Sequence, residues 1–189
     1  EVEVKIGENN EIMVRGATVM RGYYNKPEVT REAFTNDGFF RTGDAGHLTE
    51  GNEIVLTERI KELYKTSNGK YIAPQAIETR IEEDRYIDQV AVIGDQRKFV
   101  SALVVPNFPM LEAYAREQGI HFNSTEELVE NRLVHDFIFG RIELLQSRFT
   151  NYEKIKRFAL LPEPFKMEKG ELTNTLKLRR KVILERYAN

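Results

Sequence analysis

Apolar and polar residues alternate along the first third of the chain, a pattern typical of half-buried β-strands. The alternation is clearest in three segments: EVEVKI (1–6), EIMVRG (11–16) and EIVLTE (53–58). Gly, Asn, Asp and Pro between these segments favour turns. One connection, KPEVTREAF (26–34), predicts a short helix with Pro27 in its first turn. This part of the chain is therefore predicted to be mainly β.

The pattern changes near residue 58, after which helical periodicity and apolar strand segments follow one another. SNG at residues 67–69 predicts a hairpin turn. Ser124 followed by Glu127 is a capping-box signature that opens the longest predicted helix, residues 123–149. The other predicted elements are helices from Pro74, over 108–119 and over 174–187, and strands over 89–95, 99–107 and 155–162.

These patterns predict an α+β fold. A small β-rich subdomain, residues 1–58, is followed by a compact domain, residues 59–189, in which an antiparallel sheet is covered by helices.

Composition narrows the function classes. Of the 189 residues, 41% are hydrophobic and 31% charged, which predicts a packed core. The net charge of -2 argues against general nucleic-acid or anionic-membrane binding, and the absence of cysteine excludes disulfides and zinc–thiolate sites. The first residues do not resemble a signal peptide and lack an initiator Met, which suggests a piece of a longer protein. The absence of cysteine fits a reducing compartment, and a cytoplasmic location is expected.

The first candidate for chemistry is FFRTGDAGHL, residues 39–48, where Asp44 stands between Gly43 and Gly46. A carboxylate without bulky neighbours can accept two hydrogen bonds from a vicinal diol such as a ribose. Gly and Asp are also common in β-turns, so the tetrapeptide RTGD alone favours a turn between two strands.

The second candidate is ERIKELYKTSNGK, residues 58–70. Arg59 and Lys61 could bind phosphate or ribose oxygens, and the Ser67–Asn68–Gly69 loop lets a ligand approach the backbone. A solvated charged linker is the alternative interpretation, and charge runs usually are that.

The third candidate is KGELTNTLKLRRKVI, residues 169–183, with Lys177 just after a polar turn and just before or within the first turn of a helix. A lysine there can meet a developing anion as a point charge. The cluster KLRRK, residues 177–181, could instead contact anionic lipid or nucleic acid, or form a solvated helix face.

No metal site is predicted in this chain. His47, His121 and His135 are far apart and lack metal-ligand spacing. The run from Glu82 to Asp84 cannot converge on one metal from a single helix face, because adjacent residues point in different directions.

In order, four motifs resemble those of the adenylate-forming (AMP-binding) enzymes, which include acyl-CoA synthetases, adenylation domains of peptide synthetases and luciferase. The motifs are EIMVRGATVMRGYYNKPEVTREAF, GFFRTGDAGHL, ERIKELYKTSNGKYIAPQAIE and a lysine near the C-terminus. Leu176–Lys177 stands where most members have Gly-Lys, a departure that resembles the long-chain fatty acyl-CoA synthetase branch. Lys169 and Lys181 are the neighbouring alternatives to Lys177.

The resemblance implies a role for each matching residue. Asp44 would accept the ribose hydroxyls of ATP and of the acyl-adenylate, and Arg59 would contact the same nucleotide. Lys61 matches the hinge about which the mobile C-terminal domain rotates. Lys177 would reach the α-phosphate and the carboxylate during adenylation. The loop of Ser67, Asn68 and Gly69 would help form the tunnel for the CoA pantetheine.

The resemblance also implies partners. The intact enzyme would use a fatty acid, ATP with Mg²⁺, and CoA, the metal ligand lying in the rest of the large N-terminal domain. Residues 1–58 would be the β-rich end of that domain, so the fragment alone is expected to be inactive. A fatty acyl-AMP ligase that loads an acyl carrier protein, and a non-catalytic nucleotide-binding module, are the alternatives. Peripheral membrane contact stays open.

Overall fold

The computed structural model describes residues 2–60 and 63–187, in two compact units, residues 1–63 and 64–189. The first unit is a four-stranded antiparallel sheet in sequence order. The three strands predicted in this region are all present, which confirms the alternation pattern. Its elements are β1 (Val2–Ile6), β2 (Glu11–Gly16), α1 (Pro27–Ala33), β3 (Phe40–Leu48) and β4 (Ile54–Arg59), with a 3₁₀ turn (Glu8–Asn10) between the first two strands.

Proline begins the short helix α1, as the sequence predicts, because its missing N–H is one that a first helical turn leaves unbonded anyway. Strand β4 continues through Arg59, so the boundary predicted at residue 58 lies inside this strand. The contact division between the units falls after Leu63. The predicted hinge residue, Lys61, lies outside the described residues.

The second unit combines a two-stranded hairpin, a three-stranded sheet and five helices in its described residues, 64–187. This arrangement confirms the predicted α+β class. The strands are β5 (Tyr64–Lys65), β6 (Tyr71–Ile72), β7 (Ile87–Ile93), β8 (Val100–Pro106) and β9 (Ile155–Leu160), and the helices are α2 (Pro74–Ile81), α3 (Phe108–Glu117), α4 (Thr125–Glu130), α5 (Arg132–Leu145) and α6 (Arg180–Arg186).

The three-stranded sheet differs from the prediction in one respect. Strands β7 and β8 pair antiparallel, but β9 pairs parallel with β8, with Val100 opposite Ile155. The cause is the long connection through α3, α4 and α5, which carries the chain back to the end of the sheet where β8 began. Parallel neighbours need such a crossover, whereas a hairpin forces antiparallel pairing.

The longest predicted helix is divided in two at Asn131, so a single helix over 123–149 is wrong. Asn131 has an extended ψ of 125°, and its side chain accepts a hydrogen bond from the N–H of Leu133. It therefore ends α4 and caps the N-terminus of α5, a position that asparagine favours. The predicted cap at Ser124 is confirmed, since its hydroxyl accepts from the N–H of Glu127.

Both faces of the three-stranded sheet are buried, by different parts of the chain. On one face, Val90, Val92 and Val104 belong to a core that includes residues of α2, α3 and α5, among them Ile81, Leu111, Ile138 and Ile142. On the other face, Ala91, Leu103 and Val105 pack with the C-terminal segment, through Leu161, Phe165, Leu172 and Ile183. Burying one such aliphatic side chain contributes about 1.5–3 kcal/mol.

Leu172 and Ile183 of this second cluster flank Lys177 in sequence, so the segment around this lysine is anchored on both sides. Among residues 2–60 and 63–187, no helix is both long enough and apolar enough to cross a bilayer.

Candidate functional site

Asp44 lies inside strand β3, so the predicted β-turn between two strands is wrong. The register between β2 and β3 shifts from Met13 opposite Arg41 to Glu11 opposite Ala45. Three residues of β3 therefore face Ile12 alone, as in an enlarged β-bulge. Gly43 has a φ of 74°, a left-handed conformation that glycine adopts without steric cost, and this lets the strand continue past the extra residues.

Side chains replace the ladder hydrogen bonds that the bulge interrupts. The N–H of Gly43 donates to Oε1 of Glu11 (3.1 Å), and the hydroxyl of Thr42 donates to the carbonyl of Ile12 (2.6 Å). The N–H of Asp44 donates to the same Thr42 hydroxyl (3.1 Å). Glu11 is buried. The backbone that presents the Asp44 carboxylate is thus fixed by hydrogen bonds on both sides of Gly43.

Asp44 and Arg59 are direct neighbours across strands β3 and β4. Nε of Arg59 donates to Oδ1 of Asp44 at 2.9 Å, and the two side chains are 64% and 31% exposed. Such an exposed pair contributes only about 0–1 kcal/mol to stability. The pair therefore offers a solvent-accessible carboxylate and guanidinium side by side, able to bind hydroxyl and phosphate groups of one ligand.

The Ser67–Asn68–Gly69 loop is the tip of the hairpin formed by β5 and β6, as the SNG signal predicts. The N–H of Gly69 donates to the carbonyl of Thr66, and the N–H of Ser67 donates to the carbonyl of Arg97 in the β7–β8 connection. Gly69 has a φ of 75°, and a Cβ placed there would meet open space. The loop is therefore anchored at its start and accessible at its tip.

Lys177 lies on a tight loop before α6, so the helix predicted over 174–187 is shorter than expected. Leu172 and Leu178 form an isolated antiparallel bridge. Between them, the N–H of Thr173 donates to the carbonyl of Lys177 (2.8 Å) and the N–H of Leu176 donates to the carbonyl of Thr173 (2.9 Å). Leu176 has a φ of 59°, a left-handed conformation that is incompatible with a right-handed helix. We call residues 173–177 the Lys177 loop.

Two buried carboxylates hold the segments on either side of the Lys177 loop. Glu171 is fully buried and accepts from Arg186 (2.8 Å), from the Tyr187 hydroxyl (3.2 Å) and from a backbone N–H. Glu78 of α2 is also buried and binds the Arg180 guanidinium through both oxygens, at 2.5 and 2.6 Å. These contacts fix the loop from both ends.

The neighbouring lysines differ from Lys177 in their ion pairs. Nζ of Lys169 lies 2.8 Å from Glu163, and Nζ of Lys181 lies 4.0 Å from Glu185. Lys177 is exposed, and among the described residues of its own unit, 64–187, no carboxylate lies within ion-pairing distance of its ammonium. Of the three lysines, Lys177 therefore has the ammonium best placed to receive an anionic ligand.

The pairing of Lys169 makes a prediction about pH. Hydrogen bonds from Lys169 and Lys166 lower the pKa of Glu163 from 4.5 to about 2. Because this pKa is lower in the folded state, the interaction stabilises the fold above pH 4.5 and is lost as the pH falls towards 2. An NMR titration of the Glu163 carboxyl carbon should give a midpoint near 2, and Lys169→Met should raise it. A midpoint near 4.5 in the unmutated chain would contradict the pairing.

The structure thus brings together Asp44 and Arg59 in the first unit, and presents Lys177 and the Ser67–Asn68–Gly69 loop in the second. Sequence reasoning missed Glu11 and Thr173, which shape the backbone around the two candidate groups. Thr173 could have been suspected as a hydroxyl four residues before the lysine, but Glu11 carries no local signal, because it acts only through the shifted register. In the described part of the chain, no three potential ligand side chains cluster to hold a metal.

Comparison with known proteins shows to which family the chain belongs. Residues 61–189 match the family model described as AMP-binding enzyme C-terminal domain. Long-chain-fatty-acid–CoA ligase 1 of Schizosaccharomyces pombe is 36% identical over 94% of the chain, and ligase FadD15 of Mycobacterium tuberculosis is 33% identical over 98%. The chain spans only 27% and 31% of the lengths of these two relatives.

Among solved structures, the A domain of carboxylic acid reductase from Segniliparus rugosus, in complex with AMP and a carboxylic acid, is 25% identical with a TM-score of 0.77. The match covers all of this chain and 30% of that one. The sequence motifs, the fold and these matches agree: the chain belongs to the AMP-binding enzymes, and residues 61–189 are the family's C-terminal domain.

Proposed function

We propose that this chain is the C-terminal part of an ATP-dependent long-chain fatty acid–CoA ligase. The observation that carries the proposal is the 33–36% identity, across both units, to relatives named as such ligases. The parent enzyme first forms an acyl-adenylate and then a thioester with CoA. The fragment alone does not catalyse the reaction, because it spans less than a third of those relatives.

Adenylation joins two anions, and this is where Lys177 acts. A carboxylate oxygen of the fatty acid attacks the α-phosphorus of ATP, the bond from that phosphorus to the bridging oxygen breaks, and pyrophosphate leaves. A cation at the α-phosphate and the attacking carboxylate stabilises the charge that gathers there. The exposed ammonium of Lys177, on a loop fixed at both ends, suits this role.

Asp44 and Arg59 bind the nucleotide in this proposal. The Asp44 carboxylate accepts hydrogen bonds from the two ribose hydroxyls, while Arg59 contacts the same nucleotide. Their ion pair supports the assignment, because it holds the carboxylate in one orientation and leaves it accessible.

The thioester step needs a different arrangement. The CoA sulfur attacks the acyl carbon of the mixed anhydride, AMP leaves, and the thiol proton passes to solvent or a base. The accessible Ser67–Asn68–Gly69 tip lines the pantetheine tunnel in this step. After adenylation, the C-terminal domain rotates about Lys61, so that the face carrying the Ser67–Asn68–Gly69 loop replaces the face carrying Lys177. One hinge residue can absorb the backbone change that this rotation requires.

ATP acts with Mg²⁺ in the parent in this proposal, and the residues that would hold the metal belong to the remainder of the enzyme. A cytoplasmic location is proposed, with peripheral membrane contact through the basic residues 177–181 as an alternative.

The test uses the full-length parent with a fatty acid, ATP and CoA, measuring AMP, pyrophosphate and acyl-CoA. Formation of all three products is expected. Transfer only to an acyl carrier protein would indicate an acyl-AMP ligase instead. Nucleotide binding without turnover would indicate a non-catalytic module, which the joint presence of Asp44, Arg59 and Lys177 argues against.

Asp44→Asn in the parent is expected to raise the KM for ATP about tenfold to hundredfold, because a hydrogen bond to a charged group contributes about 1.5–3 kcal/mol. Steady-state kinetics at varied ATP measures the effect. Asp37→Asn is the matched control, since it removes another surface carboxylate, paired with Lys5, in the same unit. An unchanged KM for ATP in the Asp44 variant would argue against ribose binding by this residue.

A further inference from the structure

The Thr173 hydroxyl contacts three polar groups of the Lys177 loop. Its Oγ1 accepts hydrogen bonds from the N–H of Lys177 (3.1 Å) and the N–H of Thr175 (3.3 Å), and lies 3.0 Å from Oγ1 of Thr175. One side-chain oxygen therefore contacts both ends of the exposed tip, residues 175–177.

The backbone of this tip cannot be held by a regular ladder. Leu176 has a left-handed φ of 59°, which a leucine adopts only when surrounding contacts impose it, and the residue is 67% exposed. Packing therefore contributes little at this position. The backbone bonds between Thr173 and Lys177 close the loop, and the Thr173 hydroxyl is the side-chain group that binds the N–H groups inside it.

The loop ends, by contrast, are held by buried groups. Leu172 belongs to the second hydrophobic cluster, and Arg180 is bound by Glu78. Loss of the Thr173 hydroxyl would leave these anchors intact and would free the tip alone. Removing the hydroxyl is therefore expected to change the conformation of the tip without unfolding the unit.

We propose that Thr173 is a positioning residue for adenylation, which sets the place of the Lys177 ammonium through its hydroxyl. The inference rests on the proposed function, because it assumes that Lys177 acts on the α-phosphate. Lysine reaches its ligand through a flexible four-carbon stem, so the backbone at its base must be fixed if the ammonium is to meet the reacting oxygens. A displacement of about 1 Å in such a group can cost about a hundredfold in rate.

The test compares two substitutions in the full-length parent. Thr173→Val keeps the shape and removes the hydroxyl, whereas Thr173→Ser keeps the hydroxyl. The valine variant is expected to lower kcat for acyl-adenylate formation about tenfold to hundredfold, with the KM for ATP changed less than about threefold. The serine variant should stay within about threefold of the unmutated enzyme. Thr125→Val, at the start of α4, is the matched control.

The second half-reaction separates positioning from a merely structural role. Thioester formation from supplied acyl-adenylate and CoA should be retained in Thr173→Val, because that step does not need Lys177. Equal losses in both half-reactions, or a serine variant as impaired as the valine variant, would overturn the inference.

A measurement without catalysis completes the test. In the 189-residue chain, hydrogen exchange of the Thr175 and Lys177 amides should accelerate about tenfold or more in Thr173→Val, while exchange of the Val92 amide in the core stays unchanged. Unchanged exchange at both loop amides would overturn the inference. If the unmutated parent forms no acyl-adenylate, the proposed function fails, and exchange still reports whether Thr173 orders the loop.

Discussion

Lys177→Ala in the full-length parent is expected to lower kcat for acyl-adenylate formation by at least about a hundredfold to a thousandfold, the usual loss when one preorganised charge-stabilising group is removed. Thioester formation from supplied acyl-adenylate and CoA should be largely retained, because that step does not join a carboxylate to a phosphate and therefore does not need the lysine. Pyrophosphate release with fatty acid and ATP measures the first step, and acyl-CoA production from supplied acyl-adenylate measures the second.

The neighbouring lysines provide the controls for this experiment. Lys169→Ala and Lys181→Ala should leave both half-reactions within a few-fold of the unmutated enzyme, because Glu163 and Glu185 are the partners of these side chains. Survival of both half-reactions in Lys177→Ala would show that the assigned role is wrong. Selective loss of adenylation in Lys169→Ala or Lys181→Ala instead would move the role to that lysine.

Glu78→Ala is expected to destabilise the second unit by about 3–5 kcal/mol, the usual cost of leaving one partner of a buried ion pair. Glu78 is 4% exposed, binds Arg180 through both oxygens, and accepts the N–H of Val92 at 2.7 Å. Burial opposes the charged form of Arg180, but the hydrogen bonds and charge of Glu78 outweigh this and raise the pKa of the guanidinium. Without Glu78, the half-buried guanidinium loses the carboxylate that binds it.

Urea denaturation of the 189-residue chain, followed by the NMR signals of β7 and β8, measures this effect on the unit concerned. Glu83→Ala is the matched control, because Glu83 pairs with Arg80 on the surface, and its loss should cost less than about 1 kcal/mol. The double variant Glu78→Ala/Arg180→Met should recover part of the loss. Equal midpoints for the Glu78 and Glu83 variants would contradict a buried ion pair.

The strands and helices that the sequence predicts correctly are those whose pattern is local. Alternation defines β1, β2 and β4, and proline defines the start of α1 and α2. The parallel pairing of β9 is not local, because it depends on where the helices after β8 return the chain. The break at Asn131 was missed because the residues on both sides of it favour helix, and only the hydrogen bond from Leu133 reveals the cap.

In the candidate site, too, the local sequence predicts some features, whereas others depend on residues far away in the chain. Asp44, Arg59 and Lys177 could be selected from ordered motifs, and their roles stay predictions. Asp44, which pairs with Arg59, lies in a bulge where the N–H of Gly43 donates to the side chain of Glu11, thirty-two residues away. Runs of Gly and Asp indicate a turn when only neighbours are considered. The predicted last helix included residues 174–177 because Leu, Lys and Arg favour helices, whereas the Thr173 hydroxyl and the Leu172–Leu178 bridge impose another conformation there.

The burial of Glu171 has a consequence for the order in which a nascent chain can fold. Its partners Arg186 and Tyr187, and the nearby core residue Ile183, are all made after Lys177. While residues 180–187 are still in the ribosomal tunnel, the Glu171 carboxylate lacks its partner Arg186, and the far face of the sheet lacks the part of its cover that Ile183 supplies. The loop that carries Lys177 therefore acquires its final anchors only after the chain beyond it has emerged, so the Lys177 ammonium is among the last groups of this domain to be positioned during synthesis.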